Sequence, residues 1–493
     1  MVGKIPEGGS TYKLGVGPEL EVTDLPEPPK IRTAIDFLKW IGPAGAIALG
    51  IGIGSGEWLL APYIVVKYGL GMLWICLIAI ILQTIQNLEM ARYTVLTGEP
   101  ITIGLMRNRG GGKLWGTFGI IMALSQVIWP GWAGASAAAF AALQLGRLPS
   151  PTAERHLLVL WAVVTFIICM LVIVFGGKVE TSLEYFFKVT TFTLLAIIIV
   201  LAIGFVPPSK WAEAGAGLVS FGYMPAGMEW VALGAMAGYA GLGGGIWNSA
   251  ITNWYRDKGV GMGSKVGFIP ALVGGRKFEF SPVGKFPPPT KENASRFKAW
   301  KKLVETEMWS LYFIGGLLGI TLPGLLYSTY VHEPLKGWTA AAELAAGMGR
   351  VFPWAWYLLL IESILILLPT QIGCVESMVR QIVDISWFLP GVRQRFKGDI
   401  RIPYYIIIVV LWIWGIYVLA TGLVAPLVLL WITANSALVS TVFLTGLGTL
   451  MLVRKLPEPY RPSVWRQVGL VAGMLFFVFF LSMSILSIAG IRL

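Results

Sequence analysis

The sequence predicts an all-α integral membrane protein, organised as a 5+5 inverted repeat of transmembrane helices with an eleventh helix appended, and with helices 1 and 6 broken. Three observations carry this. A mean hydropathy of +0.72, with 56% hydrophobic and only 13% charged residues over 493 positions, excludes a soluble globular enzyme. Apolar runs of about 20 residues, the length needed to cross a bilayer, recur along the whole chain. Two of these runs are interrupted by glycine at corresponding places: Gly52 to Gly56 (GIGSG), followed at once by Glu57, and Gly238 to Gly245 (GYAGLGGG). A matched pair of Gly-interrupted spans in the two halves of a chain points to a transporter's substrate site.

Residues 1–33 are polar, rich in Pro and Gly, and lack an apolar signal core, so they read as a retained tail, flexible or loosely docked. Helices 1 to 5 are expected at 34–68 (broken), 71–96, 114–143, 157–175 and 183–205, a first repeat over 34–205. Helices 6 to 10 follow at 229–254 (broken), 308–327, 354–379, 404–421 and 426–452, a second repeat over 229–452, and helix 11 at 464–489. An odd number of helices per half sets the halves in opposite orientations, and unwound backbone at membrane depth is tolerated only where it is buried or lines a cavity. Two facing breaks therefore predict a central polar pocket.

Loop charge settles the orientation, since cytoplasmic segments carry the excess of Lys and Arg. One side holds the tail, Arg107, Arg109, Lys113, Lys178, the basic loop 255–307 with Arg276 and Lys277, then Arg393 to Arg401 and Arg454 to Arg466. The other receives Lys67, Arg147, Arg155, Lys210, Lys336, Arg350 and Arg492. The N-terminus is thus expected in the cytoplasm and the C-terminus outside, in the cell membrane. The net charge of +12 is accounted for by these loops and needs no nucleic-acid partner. The Pro- and Gly-rich loop 255–307 reads as irregular, and Cys76, Cys169 and Cys374 all fall inside apolar spans, without metal-site spacing.

Glu57 is the loudest residue, because a carboxylate at bilayer depth costs about 2.5 to 3.5 kcal/mol even on the mild insertion scale and faces a partner, a cavity or a substrate. Gly54 removes a side chain beside it, and Ser55 is the other side-chain ligand of that break. Close helix packing also uses glycine, but packing alone does not place Glu57 there. The helix 6 break offers backbone at Gly241 and Gly243 together with Tyr239, Trp247 and Asn248, the aromatics being equally at home in ordinary packing. Gln126, Gln371 and Asn435 are further pocket candidates, whereas Gln83, Gln86, Asn87 and a Glu89–Arg92 pair on helix 2 read as bridges between helices. His156 and His332 fall in external loops, so coupling to a proton, the one coupling ion considered, must use carboxylates. With no Walker A run, HExxH or triad spacing, neither an ATP-driven pump nor an enzyme is expected, and no cofactor is called for.

Gly42-Pro43 opening helix 1, Trp58 after its break, Leu82-Gln83 on helix 2, Thr97-Gly98 ending it and Arg380 to Val383 closing helix 8 fit the layout of the NRAMP family of proton-coupled divalent-metal transporters, which the chain resembles over helices 1 to 11. The resemblance implies the LeuT-type fold. The family's metal signature, Asp-Pro-Gly-Asn on helix 1 and Met-Pro-His on helix 6, is replaced here by Gly54-Ser-Gly-Glu57 and Gly241-Leu-Gly243. Loss of the thioether removes the preference for soft transition metals. Two substrate readings follow: a hard divalent cation such as Mg²⁺ or Mn²⁺, held by Glu57 with Ser55, Gln371 and backbone carbonyls, or a small organic solute (an amine or amino acid) in a pocket enlarged by the lost side chains. The first is preferred on the resemblance. A non-transporting receptor that docks a partner or anionic lipid on loop 255–307 is the alternative from another class, and a channel lacks any filter-like segment.

Overall fold

The computed structural model describes residues 10–42, 44–174, 179–239, 243–267, 283–422 and 424–491. Pro43, Lys178, Gly241, Arg276, Lys277 and Arg492, all used above, lie outside the described residues.

Among the described residues ten helices are long and apolar enough to cross a bilayer. Helix 1 runs to Tyr68 in pieces (Ala44–Ala48, Leu49–Gly52, Gly56–Leu60 and Ala61–Tyr68). Leu70–Thr97 (helix 2), Gly112–Leu145 (helix 3), Arg155–Val174 (helix 4) and Val179–Phe205 (helix 5) complete the first half. In the second half come Lys291–Tyr330 (helix 7), Pro353–Trp387 (helix 8), Arg401–Thr421 (helix 9), Pro426–Val453 (helix 10) and Val464–Ile488 (helix 11). Helix 6 is met as two shorter pieces, 6a Trp230–Tyr239 and 6b Ile246–Lys258. Pro353 and Pro426 open their helices where a missing N–H costs nothing. The apolar window of helix 1 is 94% buried and that of helix 11 only 28%, so helix 1 lies at the centre of the bundle and helix 11 on its lipid-facing rim.

Four expectations about local structure are corrected. Residues 34–40 do not join helix 1: Ala34–Trp40 is a separate helix of about two turns, opened by a capping box between Thr33 and Asp36, and it buries none of its residues. Helix 3 is broken as well, into Thr117–Val127 and Gly131–Leu145, because Pro130 has no N–H to continue the ladder. The tail is docked rather than loose. Thr11–Tyr12 pairs antiparallel with Leu20–Val22, which pairs in parallel with Lys285–Phe286, so a small three-stranded sheet interrupts the otherwise helical fold. The alternation of the strands turns Tyr12 and Leu20 inward, and the Tyr12 ring stacks on Phe286 with centroids 4.4 Å apart. Finally, the latter part of the basic loop is helical: Thr290 caps Lys291–Glu307 by accepting from Asn293 N at 3.2 Å, and this helix runs straight into helix 7.

On the face that carries the tail, a buried ionic cluster locks helices 6b, 8 and 9 together. Arg256 pairs with Asp257 at 2.7 Å and Asp384 at 2.9 Å, and Arg380 pairs with Asp257 and Glu376. Glu376 also accepts from Trp254 Nε1 at 3.1 Å and from the Tyr404 hydroxyl at 3.2 Å. Glu376, Arg380 and Asp384 recur every four residues, which sets them on one stripe of helix 8.

Candidate functional site

The helix 1 break turns on Ile53, whose ψ of 80° leaves the helical region. Backbone groups released there are taken up by neighbours, as they must be away from water. The Thr370 hydroxyl donates to Ile51 O at 3.2 Å, and Gly54 N donates to Glu57 Oε2 at 3.2 Å. A Cβ at Gly54 would lie 2.1 Å from Thr370 Oγ1 and 2.7 Å from Ile51 O, so only glycine lets helix 8 come this close. Gly54→Ala is accordingly expected to destabilise the protein by about 1 to 3 kcal/mol through overpacking. Thermal unfolding of the purified protein measures it, and recovery in a Gly54→Ala/Thr370→Ala double variant would identify the clash; an unchanged single variant would show that the break has room.

Helix 6 reopens after Tyr239 through Gly243, Gly244 and Gly245, at φ of 108°, 155° and 57°. Three successive residues in that region are open only to glycine. Side chains from five other helices hold the parted ends, directly or through one another. Ser440 Oγ accepts from Ile246 N at 3.1 Å and from Gln126 Nε2 at 3.0 Å, and Gln381 donates to Ile246 O. Gln83 reaches Gly238 O at 3.4 Å through Nε2, while its Oε1 accepts from Asn248 Nδ2 at 2.6 Å. The Tyr312 hydroxyl lies 3.4 Å from Asn248 Oδ1. The rings of Tyr239 and Trp247, on either side of the break, are near-parallel with centroids 6.1 Å apart.

The two breaks face each other, for a Cβ at Gly56 would meet Tyr239 Cβ at 3.0 Å and its carbonyl at 3.2 Å. Gly54, Ser55, Glu57, Tyr239, Gly243, Trp247, Asn248 and Gln126 thus gather on the two broken helices and the residues bonded to them. Glu57 is 1% exposed and Trp247 8%, so the arrangement is closed to solvent. Gln371 follows Thr370 on helix 8; it is buried, and neither atom of its amide is hydrogen-bonded among the described residues. Asn435 stands elsewhere: its Nδ2 donates to Val231 O at 2.8 Å and Trp431 O at 2.9 Å, tying helix 10 to 6a. Gly241 lies outside the described residues.

Sequence reasoning undervalued Gln83, Thr370 and Ser440, which hold the freed backbone. Gln83 and Thr370 are polar residues inside apolar runs, a signal that was visible; Ser440 is indistinguishable from any small residue of a packed helix. Among the described residues no group of three or more His, Cys, Asp or Glu side chains could hold a metal ion. A cation at the breaks would therefore be met by one carboxylate together with amide, hydroxyl and carbonyl oxygens, a set suited to hard ions.

No protein-family model matches the chain, and no curated relative matches it by sequence. Solved structures do. Two variants of a manganese transporter from Eremococcus coleocola, one with a histidine changed to alanine and one with a glutamate changed to glutamine, each align with a TM-score of 0.61 at 14% identity, over 94% of this chain and 89% of theirs. The same transporter in complex with an aromatic bis-isothiourea substituted compound aligns over the same shares with a TM-score of 0.55. At that identity the likeness establishes architecture alone: the chain is built on the fold of an NRAMP transporter.

Proposed function

We propose that this protein is a secondary-active membrane transporter working by alternating access, and that it moves a hard divalent cation, Mg²⁺ or Mn²⁺, through the site between the two helix breaks. The observation that carries the reading is Glu57, a buried carboxylate in the first turn after the helix 1 break, next to Gly56, which packs on Tyr239 at the edge of the helix 6 break. Glu57 supplies the charge; Ser55, the amide oxygens of Gln371 and Asn248 and the backbone near Gly243 supply neutral oxygens for an ion that keeps part of its hydration shell. A proton is the coupling ion suited to a core rich in carboxylates and without histidine. The excess of Lys and Arg in the loops on the tail face supports a cytoplasmic orientation for it.

The organic-solute reading needs the space vacated by the glycines to be open. It is occupied: Thr370 Oγ1 fills the Cβ position of Gly54, and Trp247 Cε3 lies 2.0 Å from that of Gly243. This favours the smaller substrate. In a thermal-shift series on the purified protein, Mg²⁺ and Mn²⁺ are expected to stabilise, by about 2.7 kcal/mol at a hundred times Kd. Stabilisation should weaken as pH falls and protons compete for Glu57. Cd²⁺ should gain no large advantage, since the side chains hydrogen-bonded to the two breaks among the described residues offer oxygen and nitrogen rather than sulfur. Silence from every metal, with amines or amino acids stabilising instead, would replace the cation by an organic solute.

A further inference from the structure

Glu362 lies on helix 8, nine residues in from Pro353 and so about 13 Å along the helix from its start. It is 0% exposed, and neither carboxyl oxygen is hydrogen-bonded or ion-paired among the described residues. Along its length helix 8 packs among both pieces of helix 3, the short helix Ala340–Gly349, helices 1, 4, 5, 6b and 9, and the short helix Pro390–Arg395, whose Arg393 and Arg395 lie beyond the far end of helix 8 from Glu362.

The charged groups described on those elements stand elsewhere. Helix 3 carries only Lys113, in its first turn; the helix 1 segment 44–52 carries none, and Glu57, on the half-helix whose Trp58 reaches Ser363, accepts from Gly54 N at 3.2 Å. Glu343 on the short helix accepts from Thr339 Oγ1 at 2.5 Å. On helix 4, Arg155 donates to Ala420 O, and His156 is the next residue at the same end. On helix 5, Glu184 is held by Lys188 and Lys258. Arg256 and Asp257 of helix 6b and Glu376, Arg380 and Asp384 of helix 8 itself belong to the ionic cluster, with Tyr404 of helix 9 bonded to it, and Arg401 of helix 9 pairs with Asp399. None of them meets Glu362.

An ionised carboxylate stripped of water and given no donor is far costlier than the same group carrying a proton, so such a group neutralises itself. We propose that Glu362 is a proton-binding site: it holds a neutral carboxylic acid in this closed arrangement and releases its proton when rearrangement admits water. Its neighbour supplies the link to substrate. Ser363 Oγ accepts from Trp58 Nε1 at 2.6 Å and donates to Ala341 O at 2.5 Å, and Trp58 follows Glu57 in the half-helix that carries the candidate cation ligand. Movement of that half-helix therefore pulls on the turn that buries Glu362. The use of the proton rests on the transporter reading; its presence on Glu362 does not.

The test is infrared spectroscopy of the purified full-length protein in lipid vesicles, titrated from mildly acid to alkaline buffer. Wild type should show the carbonyl stretch of a protonated carboxyl at neutral pH, and Glu362→Gln, eluting as wild type on size exclusion, should lack it. The same band in both proteins overturns the proposal. Should the variant fail to fold, a hydrophobic carbodiimide, which adds to protonated carboxyls, is applied to wild type: modification of the peptide containing Glu362 supports the site and an unmodified peptide overturns it. A band assigned to Glu362 in vesicles that move no solute upholds the site while removing the transporter reading. Cation uptake alongside a band that persists in Glu362→Gln does the reverse.

Discussion

Replacing Glu57 with Gln should weaken cation binding about 100-fold while leaving the fold intact. Gln keeps the size of the side chain and an oxygen that can accept from Gly54 N, the bond at 3.2 Å that ties Glu57 to the break, so packing is preserved and only charge is deleted. The remaining ligands would all be neutral oxygens, which cannot repay the dehydration of Mg²⁺ or Mn²⁺. A loss of affinity on the order of 100-fold, or ~2.8 kcal/mol, is expected. Direct binding measurements on the purified variant read it, with thermal stability in the absence of metal as the control. Wild-type affinity in a folded Glu57→Gln would remove Glu57 from the site and with it the cation reading. A variant that unfolds would instead show that the carboxylate is structural.

The breaks could be read from the chain because both depend on local composition: glycine runs inside apolar spans, one of them followed by a carboxylate. The break in helix 3 had an equally local cause in Pro130, and the long apolar run around it concealed the signal. The helix Lys291–Glu307 was also within reach, since its buried residues Asn293, Phe297, Trp300, Val304 and Glu307 follow helical spacing. Four lysines and an arginine over the same stretch hid that stripe behind a basic composition. Docking of the tail was not legible, because strands of two or three residues have no periodicity and Tyr12 finds Phe286 only through the folded chain. The state of the pocket was equally out of reach. Glycine at 54 and 243 announces missing side chains, but whether the space stays open depends on how closely Thr370 and Trp247 approach.

The docked tail makes Glu99 the second residue whose loss should be severe. Glu99 is buried between helix 2 and helix 3, where Arg107 grips both its oxygens, Nε to Oε2 at 2.8 Å and Nη2 to Oε1 at 2.6 Å. Gly284 N donates to it at 2.9 Å beside the third strand, and the Tyr93 hydroxyl donates as well. Arg107 passes the restraint to the tail through Pro18 O at 2.7 Å and through its own carbonyl, which accepts from Val16 N at 2.9 Å. Glu99→Gln leaves the Arg107 charge buried without its counter-ion and should cost about 3 to 5 kcal/mol. Thermal unfolding measures the loss, and limited proteolysis should find new cleavage within residues 10–22. Burial by itself would push the Glu99 carboxyl up, but the charge of Arg107 and the donors around it outweigh burial and hold it below the usual carboxylate range. A depressed value in the folded state means that the pair's stabilisation is complete above the unfolded value of about 4.3 and drains away as pH falls towards the folded one. Wild type should therefore lose stability more steeply than Glu99→Gln in the acid range below that point. Parallel acid curves, or a tail no easier to cut in the variant, would show that Glu99 does not hold the tail face together.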